Sequence, residues 1–261
     1  MTTWSAPPET PDTVRAGLRF GDRGTHTSRT MMLAELQELL RALPPETDRD
    51  GYLTAIVDDN LLGKATEATR RLSGQRLGEL YGLDPGLPLF RALRRVWSAD
   101  VAGRPISALL CALARDPLLR STARPVLSLT EGAELVRTAF LDAIRSAVGD
   151  RLNESVLDKV ARNAASTWCQ SGHLEGRMRK IRQRVTPTPG SLALALWLGT
   201  LEGLAGEQLL ASRWAQVLDR SPRELEPVAL RAKQLGLISA SIGGGTTEID
   251  ASELDAVHLG S

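Results

Sequence analysis

Two cysteines and three histidines among 261 residues leave little material for metal or disulfide chemistry. Cys111 and Cys169 have no paired spacing, so neither a disulfide framework nor a cysteine-based zinc site is expected, and a reducing, intracellular setting fits. His26, His173 and His258 lie far apart, and none sits in a His-x-x-x-His or His-Glu-x-x-His spacing, so no metal and no cofactor is expected. No apolar run approaches the roughly 20 residues that cross a bilayer, and the longest, 192–198, reads as a buried helix. The amino end carries Pro7, Pro8 and Pro11, lacks the basic start and apolar centre of a signal peptide, and reads as a loose arm. A cytoplasmic protein without membrane contact is expected. Walker motifs, dinucleotide fingerprints, nucleophile elbows and nuclease-like carboxylate clusters are also missing, so no catalytic residues are assigned and an enzyme is not expected. His173 reads as a turn or phosphate-contact residue, and Cys169, beside Trp168, as a packed thiol.

Net charge is also scarce: +1 overall does not steer a protein to a polyanion, so any such surface must come from segregation along the chain. Residues 151–184 carry eight cations against three anions, whereas 201–261 carry nine acids against five bases.

Helical periodicity dominates to about residue 230. A helix capped by Ser28 or Thr30 carries Met32, Leu33, Leu36, Leu39, Leu40 and Leu43 on one side and ends at Pro44 and Pro45. A second runs over 50–62. A third opens at 64–66, with Ala68, Leu72, Leu77 and Leu80 inward and Thr69, Arg70, Ser73 and Arg76 toward water. Joined by a tight turn at Gly63 and Lys64, these two resemble a helix-turn-helix. Further helices are expected over 87–97, 106–114 and 131–148, the last capped by Thr130 and stopped by Gly149, and another begins after Asn153.

Strand signals are few, and they follow helices. The helix after Asn153 closes on Gly172 and passes into a short β-like run around Ile181; the helix over 223–234 closes on Gly236 and passes into 237–242 and 246–249, around a Gly243-Gly-Gly245 hairpin tip. Helix, glycine turn and hairpin is the succession that ends winged helix-turn-helix modules.

If 179–185 is extended, Ile181 and Val185 face one way while Lys180, Arg182 and Arg184 line the other, about 6.6 Å apart, a spacing suited to a phosphate backbone. Arg177 and Arg179 precede them, and the preceding helix adds Lys159, Arg162 and Asn163. Lys64, Arg70, Arg71 and Arg76 form a secondary candidate, although Glu67 and Glu79 sit among them.

The run from Ile56 through Asn60, Leu61, Leu62, Gly63, Lys64, Ala65 and Thr66 to Arg70, Arg71 and Leu72, continuing to Arg76 and Leu77, resembles the BrxA-type proteins of BREX phage-defence systems. Residues 106–119 and 155–174 resemble that family's later helices, and the likeness covers most of 30–200. It implies a mainly α, non-catalytic DNA-binding protein with helix-turn-helix character and a helical bundle similar to that of the antitermination factor NusB. This chain departs from the family in its longer, acidic carboxyl end.

The expected architecture is therefore mainly α, with helix-turn-helix or winged-helix modules joined to a NusB-like helical bundle. Its segments are a flexible arm (1–27), a helix-turn-helix region (28–98), a bundle segment (99–150), a basic winged region (151–205) and an acidic winged region (206–261). The expected function is binding of double-stranded DNA, mainly by phosphate contacts, as an accessory to a phage-defence assembly whose other subunits are further partners. Two alternatives are a protein-interaction adaptor and an autoregulatory transcription factor.

Overall fold

A computed structural model of the chain describes residues 4–243 and 246–256. The protein is mainly helical, with two small antiparallel two-stranded sheets. Two helices make its centre. In Arg104–Arg115 every residue from Ile106 onward is buried, and in Pro189–Thr200 every residue from Gly190 to Gly199. A helix apolar on all sides needs neighbours on all of them. The helices Glu67–Tyr81, Pro88–Ala99 and Glu154–Gln170 cover the first; Pro88–Ala99 and Pro222–Gln234 cover the second, and the two central helices pack on each other. One buried cluster runs from Trp4 to Leu254. It passes through all five sequence segments, so those segments complete each other's apolar faces and are not separate cores.

From Trp4 onward the amino-terminal segment packs on this core and is not a loose arm. Trp4 is buried edge-on against Trp214, with ring centroids 5.8 Å apart at 90°. Arg213 donates to the carbonyls of Ser5, at 2.6 Å, and Ala6. Thr10 and Thr13 cap the helix Pro11–Ala16 reciprocally, and Gly17, at φ 104°, ends it. Proline enrichment signals an open chain only where no apolar anchor is near, and Trp4 is such an anchor. Trp4→Ala is expected to cost about 3 kcal/mol, read as a lowered urea midpoint at unchanged m; a detached arm would give no change.

Helices begin as expected where a side chain can cap. Asn153 Oδ1 accepts from the Val156 N–H at 2.9 Å and starts Glu154–Gln170. Thr66 and Thr69 cap Glu67–Tyr81. Elsewhere the boundaries move. Leu33–Ala42 starts after Met32, a left-handed residue (φ 52°) without a side-chain cap; Thr30 Oγ1 accepts the Met32 N–H instead. The second helix is Arg49–Val57, so the link 58–66 replaces the tight turn. Asn60 and Gly63 are left-handed within it, and Asn60 Oδ1 accepts the Lys64 N–H at 2.8 Å. Glu67–Tyr81 buries Ser73 and Gly74 where Ala68 was expected inward. The helix expected over 131–148 is Arg137–Val148, because the residues before it are drawn into backbone pairing with 180–182.

Glu154–Gln170 leads through Gly172 (φ 85°) to Leu174–Glu175, which pairs with Ile181–Arg182. Pro222–Gln234 leads through Gly236 (φ 66°) to Ser239–Gly243, which pairs with Thr246–Asp250. Helix, glycine turn and hairpin thus follow one another at both places. The rest of the glycine tip, Gly244 and Gly245, and His258 lie outside the described residues.

Candidate nucleic-acid interface

The segment expected to be a cationic edge is an interior strand. Ile181–Arg182 pairs with Leu174–Glu175 on one side. On the other, Arg182 N–H donates to Ala133 O at 2.9 Å, Gly132 N–H to Arg182 O at 2.9 Å, and Leu135 N–H to Lys180 O at 2.8 Å. Arg182 points inward and is only 2% exposed. Its Nε donates to Val126 O at 3.0 Å, and its other nitrogens reach His173 O, Gln183 O and the Asp219 carboxylate. It therefore cannot contact DNA. Arg184 is exposed but donates to Asp219 O at 2.8 Å, beyond the strand, so the three expected cations do not form one row.

Other residues expected at the interface are also engaged within the protein, Arg71 and Arg179 in exposed surface pairs. Asn163 Nδ2 donates to His26 O at 2.7 Å, tying the helix to the amino-terminal segment. Lys64 pairs with Glu35 at 3.0 Å, Arg71 with Glu67 at 2.6 Å, Arg76 with Glu79 at 2.7 Å, and Arg70 donates to Val57 O at 2.5 Å. Arg179 pairs with Glu134 at 2.5 Å, a hydrogen bond that holds the Glu134 carboxyl below its ordinary range.

Further arginines are spent on helix ends. The last carbonyls of a helix lack intrahelical donors, and a planar guanidinium can serve several at once. Of the cations, 28 are arginine and four lysine. Arg94 donates to Leu40 O and Leu43 O, Arg104 to Trp97 O, Arg115 to Gly78 O and Glu79 O, and Arg120 to Leu113 O and Ala114 O. Burial pulls Arg115 and Arg120 down to about 10, which leaves both charged at neutral pH.

What remains is gathered elsewhere. Between Arg137–Val148, Glu154–Gln170 and the turn after Glu175 lies a groove of about 410 Å³, floored by Leu135, Phe140, Ala161 and Ala165. Arg137, Arg162, Arg177 and Lys180 rim it, beside Met178, which is 91% exposed. Arg137 and Arg162 share Asp158, the latter at 3.3 Å, and Lys180 Nζ donates to Gly176 O at 2.5 Å. Arg177 and Lys159 are exposed, with no ion pair among the described residues. Lys159 and Arg162 are three apart on one helix and share a face. Arg162, Arg177 and Lys180, expected at the interface, lie on this surface, and Arg137, which falls inside the helix expected over 131–148, joins them. Its position at the true helix start was the signal, hidden by the extended residues before it.

Two histidines sit in buried hydrogen-bond chains. His26 Nδ1 is 2.7 Å from Asp116 Oδ2, and Nε2 is 2.8 Å from Thr167 Oγ1. Burial raises the Asp116 carboxyl, but the His26 ring and the Leu119 and His26 N–H donors outweigh it, leaving Asp116 below its ordinary range. Acid, imidazole and hydroxyl follow the order of a hydrolase triad. Here, however, all three are buried and Thr167 Oγ1 also accepts the Met31 N–H at 2.9 Å, so the chain works as a pin between segments. Gly24 permits the close approach: a Cβ there would meet Asp116 Oδ1 at 2.0 Å. His173 is likewise fully buried, bonded to Ser171 Oγ and Val217 O, and is not a phosphate contact. Cys169 is half-buried and Cys111 buried, the latter's thiol pushed well up by burial. No protein-family model matches the chain and no curated protein matches its sequence, which leaves the geometry of these surfaces as the guide to function.

Proposed function

We propose that the protein binds double-stranded DNA, without acting on it chemically, through the groove rimmed by Arg137, Arg162, Arg177 and Lys180, with Lys159 alongside. One observation carries the reading: Arg137, Arg162, Arg177 and Lys180 converge on one groove, and Arg177 and nearby Lys159 are exposed with no ion pair among the described residues. Unpaired Arg177 and Lys159 supply the counterion-releasing contacts that dominate duplex affinity. Met178, exposed between Arg177 and Arg179, is the kind of apolar side chain that wedges at a base step. The helix, glycine turn and hairpin that build the face suit a winged-helix module. The resemblance of residues 56–77 to BrxA-type proteins supports an accessory place in a bacterial phage-defence assembly.

In a filter-binding titration, log affinity should fall linearly with log salt, and changing Arg162, Arg177 and Lys180 together to Ala should lower the slope by about 2 to 3. An unchanged slope, or no retention of duplex at low salt, overturns the assignment.

The apolar floor and Met178 also favour an adaptor role, in which the same groove docks a protein partner of the assembly. That reading predicts stable co-purification with another subunit, sensitive to Met178→Asp, and no retention of duplex.

A further inference from the structure

A second cationic concavity lies apart from this groove. Its lining, about 380 Å³ in volume, consists of Arg19, Arg23, Gly24, Thr27, Gln75, Arg76, Glu79 and Arg151. Four guanidiniums therefore face one carboxylate. That carboxylate is already engaged: Glu79 accepts from Arg76 at 2.7 Å, Thr25 at 2.8 Å and Gln75 at 3.0 Å, and these donors hold it in the charged form against burial. Asp22, at the rim, is engaged by Arg151 at 2.5 Å. Among the described residues the Arg19 guanidinium donates to Glu79 O alone, at 3.3 Å. Arg23 makes no hydrogen bond or ion pair among the described residues, and Arg76 Nε is shielded from solvent without an acceptor. The Thr25–Thr27 turn beneath is held by His26 on Asp116 and Thr25 on Glu79, so the wall is fixed in advance.

We infer that this cleft is a binding site for a small multiply charged oxyanion, the phosphate or diphosphate group of a small molecule. Guanidiniums offer paired N–H groups that match phosphoryl oxygens, and the four here, set against Glu79 and Asp22, leave about two positive charges for a ligand. The volume is at the lower end for small-molecule sites, enough for one or two phosphoryl groups and a small organic part. Thr27 and the Gly24 backbone line the same cavity and add polar groups at its wall.

The test is isothermal titration of the full-length chain with sodium pyrophosphate, with orthophosphate and a DNA duplex as further probes. Saturable 1:1 binding of pyrophosphate is expected, with affinity reduced at least ~10-fold in Arg23→Glu and in Arg151→Gln, which sit on different parts of the lining. Arg177→Glu, in the other groove, should leave it unchanged, so a failure here is separable from a failure of DNA binding. Arg23 is exposed and unpartnered, so its variant should melt as the parent does without ligand. No saturation by about 5 mM pyrophosphate, equal binding by Arg23→Glu, or loss of binding in Arg177→Glu overturns the inference, as does competition in which duplex displaces pyrophosphate completely.

Discussion

Asp219→Ala is expected to destabilise the protein by about 3 to 5 kcal/mol, the range for removing one member of a buried ion pair. The Arg182 guanidinium that it would leave behind is enclosed, and desolvating an unpaired charge is what sets the magnitude. Asp219 does more than neutralise. Its Oδ2 accepts the Val185 N–H at 3.1 Å, its carbonyl accepts from Arg184 and Arg220, and its backbone is left-handed at φ 57°. A residue held in that conformation by its own side chain loses the restraint when truncated. Asp219→Asn should cost less, since it keeps polar oxygen near Arg182. Urea melts of both variants, at unchanged m, check the ranking, and a loss below about 1 kcal/mol in Asp219→Ala would mean that Arg182 is not held as described.

Acidification should have an effect of similar size through His173. Burial lowers its pKa from 6.5 to about 4; nearby Asp219 and the Val217 carbonyl oppose that shift, while Arg182 adds to it. The folded form therefore holds a neutral ring, with Nε2 donating to Val217 O at 2.7 Å and Nδ1 facing Ser171 Oγ at 2.9 Å. In the unfolded chain the ring takes a proton near pH 6.5. Between that pH and about 4 the unfolded state binds more protons, so stability falls as pH falls, by a total on the order of 3 kcal/mol at the bottom of the window. Denaturation midpoints at pH 7, 5.5 and 4 should show this decline, and His173→Gln should flatten it. An equally steep decline in the variant would assign the acid sensitivity to carboxylates instead.

Both effects arise at one junction, where Arg182 and His173 meet Asp219 and Val217, partners 37 and 44 residues further along the chain. Nothing in the local sequence announces it. The alternation that sends Lys180, Arg182 and Arg184 to one side of a strand is a sound reading of a pleat, but it cannot say which side meets water. That depended on residues 132–135, which read as helix and instead pair by backbone hydrogen bonds and a single bridge, Glu134 to Ile181, with the far side of the strand. The amino-terminal segment failed in the same way, because the partner of Trp4, Trp214, lies at the far end of the chain.

The sequence by itself determined the helical class, most helix positions, the Asn153 cap, the opening of a helix after 64–66, and the two glycine turns that precede hairpins. These rest on neighbours within four residues, where periodicity, capping and left-handed glycine act. Only the tertiary structure decided where the charge goes. An arginine serves equally well as a helix-end donor, a buried pair or a solvent-facing cation, and the choice lies with carbonyls and carboxylates brought close by folding. Thus Arg94, Arg115, Arg120 and Arg182 became internal fasteners, while Arg137, Arg162, Arg177 and Lys180 were left around one groove and Arg19, Arg23, Arg76 and Arg151 around another.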